Sequence, residues 1–191
     1  MGFLTTRRGY WVTRRALCLA LLWLAFSVPT PAQRASVDEL EVKAVFLFNF
    51  VQFVDWPANA FSSPEDPVVI GVLGSDPFGQ LLDDVVRGEM VKGRSLVVTR
   101  FRRVEDIKSC HVLFISPALA RMYEHILTTL DAQPTLTVGE TENFTALGMV
   151  RFVSEQNRVR LEVNVEKAKA AGLTISSNLL RAARIVGVPR G

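Results

Sequence analysis

The chain has 191 residues, with 22 Lys and Arg against 19 Asp and Glu. Four of the arginines (Arg7, Arg8, Arg14, Arg15) and none of the acids fall in the first 32 residues, which leaves 18 basic against 19 acidic residues, a net charge of −1, in the rest. The basic balance therefore belongs to the start of the chain and is no argument for a nucleic-acid partner, which needs a clustered basic patch on the folded domain.

The start has the layout of a secretory signal: the four arginines, an unbroken apolar run from Ala16 to Phe26, then small residues Thr30 and Ala32 at −3 and −1 for cleavage before Gln33. The run falls short of the ~20 apolar residues of a spanning helix. An uncleaved N-terminal anchor is the alternative. T-R-R-A-L-C, Thr13 to Cys18, has a faint twin-arginine character, but the Leu-rich run favours the general secretory route. Cys18 lies inside the run rather than after it, which argues against a lipoprotein anchor. Residues 1–32 are thus expected to be a signal peptide and residues 33–191 one domain, long enough for its own core. Its single cysteine, Cys110, is either buried and inert or paired with another chain.

Ser36 and Glu39 have capping-box spacing and predict a helix from there to about Trp56, where Pro57 forbids continuation. Ser62 to Pro67 is turn material. P-V-V-I-G-V-L-G, Pro67 to Gly74, reads as a buried strand, followed by a loop over Gly74 to Gly79 and a helix over Phe78 to Gly88. Arg94 to Phe101 and His111 to Ser116 read as strands, Pro117 to Leu130 as a helix with Pro in its first turn, and Thr135 to Gly139 as a further strand. This alternation predicts a parallel α/β sheet. Met149 to Ser154 and Arg158 to Val165, joined by a turn at Glu155-Gln-Asn157, alternate with period two, as in an antiparallel hairpin at a sheet edge. Ser176 to Val186, with an apolar stripe at Leu179, Leu180, Ala183 and Val186, reads as a closing helix. The expected architecture is one α/β domain: a mainly parallel sheet, an antiparallel C-terminal hairpin and helices on both faces.

Nothing in the sequence points to catalysis. Cys110 and His111 are neighbours on a strand and point to opposite faces. No metal-ligand spacing is present, and Asp83 and Asp84 diverge on their helix. No cofactor, metal or catalytic residue is expected. The loops that follow the parallel strands, Gly74 to Gly79, Ser116-Pro117 and Gly139 to Asn143, should converge at one edge, where ligands usually sit. Gly74, Ser75, Asp76, Phe78 and Asn143 are the candidate ligand-binding residues there. The first loop lacks a Gly-Lys-Ser/Thr ending, and Asp76-Pro77 equally reads as a cap that starts a helix.

The first helix is apolar beyond need. Leu40, Ala44, Leu47, Val51 and Val54 form one stripe, and Phe46, Phe50 and Phe53 a second. A helix on a sheet needs one stripe. The second is covered either by the chain's own core or by another chain, so Phe46, Phe50, Phe53 and Trp56 are the candidate partner-binding residues.

Several blocks resemble the YfiR family of bacterial periplasmic proteins: K-A-V-F-L-F-N-F-V-Q-F-V-D-W-P from Lys43 to Pro57, V-L-G-S-D-P-F-G from Val72 to Gly79, C-H-V-L-F-I from Cys110 to Ile115, L-T-V-G-E from Leu136 to Glu140, and the stretch from G-M-V-R-F at Gly148 to L-T-I-S-S-N-L-L ending at Leu180. The resemblance implies an α/β domain that works by binding. It implies a repressor acting on the periplasmic portion of a membrane-bound diguanylate cyclase, with effects on cyclic di-GMP and biofilm, and it admits an outer-membrane lipoprotein that sequesters the repressor. A homodimer is a further expectation. Related domains serve as extracytoplasmic sensors, so a periplasmic small-molecule sensor is the alternative function. Some members bridge the strand before the V-L-G block to the cysteine of the C-H-V-L-F block. Here that strand has Gly71 and no cysteine, which puts redox control by such a bridge in doubt.

Overall fold

A computed structural model describes residues 31–187, apart from 132 and 157. The expected signal segment lies outside the described residues except at its last two positions, as does Asn157 of the expected turn. The chain divides into two compact units, Met1–Ser36 and Val37–Gly191. The second unit holds every described strand, and every described helix apart from the opening residues of the first.

That first helix, α1 (Pro31–Phe53), starts earlier than the capping-box spacing predicts. Ser36 lies inside it. It also stops earlier, at Phe53. Val54 and Asp55 form β1, paired antiparallel with β9 (Thr174–Ile175). Pro57 biases Trp56 toward extended backbone, and the pairing draws the chain out of the helix two residues before that.

The main sheet has eight strands in the order β10-β8-β7-β6-β5-β2-β4-β3. Five are mutually parallel: β2 (Val68–Leu73), β4 (Arg94–Phe101), β5 (Val112–Ile115), β6 (Leu136–Gly139) and β7 (Val150–Glu155). β3 (Met90–Val91) and β8 (Arg158–Asn164) run against their neighbours β4 and β7. The expected antiparallel hairpin is therefore present, but it is not the edge. β10 (Ala183–Val186) lies outside it, parallel to β8. The expected closing helix shrinks to α6 (Ser177–Arg181), whose Ser176 Oγ accepts from the Asn178 N–H at 3.2 Å. The reason is non-local. Arg184 aligns with Glu162 of β8 and pairs with its carboxylate, so the residues beyond α6 join the sheet.

The β5 sequence V-L-F-I shows why both faces are covered. Val112 and Phe114 face one apolar cluster, built on α1, α2 (Gln80–Val86) and α5 (Val165–Ala170). Leu113 and Ile115 face another, built on α3 (Tyr123–Leu130) and α4 (Phe144–Leu147). The expected helix from Pro117 begins as a 3-10 segment, Pro117–Met122, and becomes α-helical at Tyr123. Beyond β6 the second face loses its cover. There α4 packs on β7 and β8, and Arg151, Glu162 and Arg184 stand in a row across β7, β8 and β10.

Candidate functional site

The inner side of α1 carries Ala44, Leu47, Val51 and Val54, all in the core. Phe50 joins them. It is fully buried, and its ring stacks on Phe152 of β7 at 6.1 Å between centroids, with Phe46 completing a three-ring cluster 6.4 Å from Phe50 and 6.1 Å from Phe152. As a free partner-binding residue Phe50 is a correction: at ~100° per residue it lies only about 60° from Leu47, well inside the buried arc. Phe46 and Phe53 lie further round and are half-buried. The outward side is marked by two valines the Phe stripe did not point to, Val42 (43% exposed) and Val45 (41%). Their signal was present in the sequence, at i and i+3 opposite Leu47.

Trp56 is half-buried and anchors the end of the signature stretch. Its indole N–H donates to the His111 carbonyl at 3.2 Å, and its ring meets the His111 ring edge-on. His111 stacks on Phe61 at 4.4 Å, and the Arg94 guanidinium covers the far face of Phe61 at 3.8 Å. The His111 Nδ1 accepts the Val69 N–H at 3.0 Å, so its ring proton sits on Nε2. Burial lowers its pKa and keeps it neutral. Cys110, its neighbour, faces the opposite cluster. Burial pushes the Cys110 thiol up to about 12, so it is not a nucleophile at neutral pH. A Cβ placed on Gly71 would sit 2.7 Å from its sulfur.

The loop Gly74 to Gly79 turns at Gly74, whose φ is +89° and whose N–H donates to the Phe101 carbonyl at 3.0 Å. Asp76 caps the turn, accepting the Phe78 N–H at 2.8 Å. Its other oxygen accepts from Arg100 Nε at 2.8 Å. The rest of the Arg100 fork holds Asp83 at 2.8 and 2.6 Å and the Gly79 carbonyl at 2.7 Å. The hydrogen bonds from Arg100 keep the Asp83 carboxyl below its usual range. Phe78 is buried edge-on against Phe114, and Ser75 is exposed. Asn143 is exposed too, in the loop after β6, with β5 between β6 and β2. The five candidate ligand residues are thus not drawn into one concave site, and Arg100, which sequence spacing did not flag, engages Asp76 and the Gly79 carbonyl of the first loop.

Lys43 ties α1 to this edge. It is buried, 2.5 Å from Glu39 and 2.8 Å from Glu140, which follows β6. Burial alone would lower its pKa, but the hydrogen bonds to Glu140 and Glu39 outweigh it and hold the amine above its usual value. Ser154 of β7 donates to Glu39 at 2.6 Å, which together with Lys43 keeps that carboxyl low. Among the described residues no cluster of His, Cys, Asp and Glu could hold a metal ion, and no helix is long and apolar enough to cross a membrane.

The profile of the YfiR/HmsC-like family, DUF4154, matches residues 40–184. The chain belongs to this family. Its members are periplasmic regulators, and Lys43, Phe50, Trp56 and Cys110 all lie within the matched span. No curated protein matches the chain. Several solved structures are similar, including the following two. One, a conserved domain protein from Vibrio cholerae O1 biovar El Tor, is 14% identical with a TM-score of 0.47, over 62% of this chain and 54% of that one. The other, an ABC domain from Streptococcus pneumonia in complex with L-Trp, is 9% identical with a TM-score of 0.50, over 79% of this chain and 60% of that one. This chain thus spans somewhat more than half the length of each. The second likeness is one of fold alone, and the L-Trp belongs to that protein.

Proposed function

We propose that this chain is an exported, non-enzymatic regulator that binds the periplasmic portion of a membrane-bound diguanylate cyclase and holds it inactive. The observation that carries this reading is the outward side of α1, inside the family's matched span. There Val42 and Val45 are exposed beside the half-buried Phe46 and Phe53. A helix whose inner stripe already satisfies the core has no folding reason to keep valines on its outer side. The ion network of buried Lys43 with the partly exposed Glu39 and Glu140 ties that helix to the sheet, which suits a pre-organised surface. What supports export is the sequence pattern of the start, four arginines, an apolar run and small residues before Gln33. An outer-membrane lipoprotein competing for the same surface fits the same picture.

Deletion of the gene is expected to raise cellular cyclic di-GMP and biofilm, and unchanged levels would sink the repressor reading. Val45→Asp should release the cyclase while thermal denaturation stays within about 0.5 kcal/mol of wild type, because the residue is on the surface. A Val45→Asp protein that still represses moves the contact off α1.

A further inference from the structure

We infer a second docking surface: the open edge strand β10 and the basic groove beside it accept an extended segment of a partner protein in which acidic and apolar residues alternate. This surface is distinct from α1 and does not depend on the partner proposed for that helix.

Three observations carry it. β10 ends the eight-strand order, so its outer backbone N–H and C=O groups have no strand partner among the described residues. Beside it lies a groove of about 810 Å³ on the uncovered face of β8 and β10. Arg160 and Arg184 line it, with side chains 62% and 65% exposed, and Arg181 stands at its margin. The groove's buried acid, Glu162, is already neutralised. Arg151 donates to it at 2.9 Å from one side and Arg184 pairs with it from the other. Glu155 meets Arg160 only at 3.7 Å. The exposed arginines therefore keep donors free. Finally, Ile185 points to the face opposite Arg184 and is 47% exposed, one of few large apolar side chains left open.

An added strand lies ~4.8 Å beyond β10 and sets its own side chains alternately on the two faces. On the Arg184 face the complementary side chain is a carboxylate, and on the Ile185 face an apolar one. Backbone pairing supplies affinity and this alternation supplies specificity. A second copy of the chain fits worse. Antiparallel self-pairing centred on Arg184 or on Ile185 sets the two Arg184 side chains opposite or diagonal to each other, where like charges repel.

The test uses the exported chain and a labelled short peptide alternating glutamate and valine, read by fluorescence anisotropy and by amide exchange. The peptide is expected to bind, to weaken as salt rises, and to slow exchange at Ala183–Val186. Arg184→Glu would face Glu162 and disturb the edge itself. Arg160→Glu is therefore the charge variant, and it should weaken binding at least about tenfold with the fold unchanged by circular dichroism. Equal binding of a lysine–valine peptide would overturn the inference, as would slowed exchange that leaves β10 untouched or no binding at millimolar peptide. Concentration-dependent protection of β10 without peptide would also overturn it, in favour of self-association.

Discussion

The centre of the sheet and its β7–β8–β10 end are built from similar residues but finished differently. At the centre, β2 and β5 are sandwiched, and the arginine that reaches the loop after β2, Arg100, spends its fork on Asp76, Asp83 and Gly79. At the far end one face is closed by α1 and Phe152, while the other leaves Arg160 and Arg184 exposed over an acid that is already neutralised. Charge alone does not mark a surface for binding. What matters is whether the local structure has used up the donors. At the loop edge that position in the fold singles out, Asp76 and Arg100 are spent on each other and on their neighbours, and the edge it does not single out is open.

Substitutions on the covered side should be costly in order of how little room they have. Phe50→Ala removes a fully buried ring from the cluster with Phe46 and Phe152 and should cost about 4 kcal/mol in urea denaturation. A loss under about 1 kcal/mol would mean that the covered face is not packed as described. Gly71→Ala comes next. Its Cβ would meet the Cys110 sulfur, Leu113 and Phe101 at 2.7–2.9 Å, so about 3 kcal/mol is expected, at the upper end of overpacking costs. Replacement without loss would show that the centre can breathe.

Lys43→Met leaves Glu39 and Glu140 facing each other without their cation. Both acids are partly exposed, so the cost should be about 2 kcal/mol, less than for a fully buried pair. Glu140→Gln on the same background should recover part of it. The smallest effect is at Asp83. Its pKa is lowered in the folded state by Arg100, so its contribution is present above the unfolded value and fades as pH falls through the folded one. The difference in stability between wild type and Asp83→Asn should stay under about 1 kcal/mol above about pH 4 and shrink below it. A difference that grows in acid would contradict the pairing.

Strands β2, β4, β5, β6, β7 and β8 and most helices were legible because their signal is local. V-V-I-G-V-L and V-L-F-I are short, β-branched and bounded by turn residues, and R-V-R-L-E-V alternates cleanly. The features that escaped are those settled by partners far along the chain. Val54 and Asp55 continue a helical pattern and leave it only because Ile175 and Thr174 pair with them. Ala183 to Val186 continue the stripe of Leu179 and Leu180 and become a strand because they pair with Leu161 to Asn164 of β8. Phe50 and Phe53 look alike in a stripe, and about 60° of helical rotation separates the buried one from the half-buried one. Saturation of Asp76 depends on Arg100, one strand away, and no spacing rule shows it.

The β1–β9 pairing has a mechanical consequence. The Ser176 N–H also donates to the Phe53 carbonyl at 2.8 Å, and Lys92 donates to the Val54 carbonyl at 3.0 Å. The downstream end of α1 is thus clamped to a segment some 120 residues further along the chain. A pull on α1 from its exposed side is transmitted to α6 and on to β10, so the two proposed contact surfaces hang on one tether.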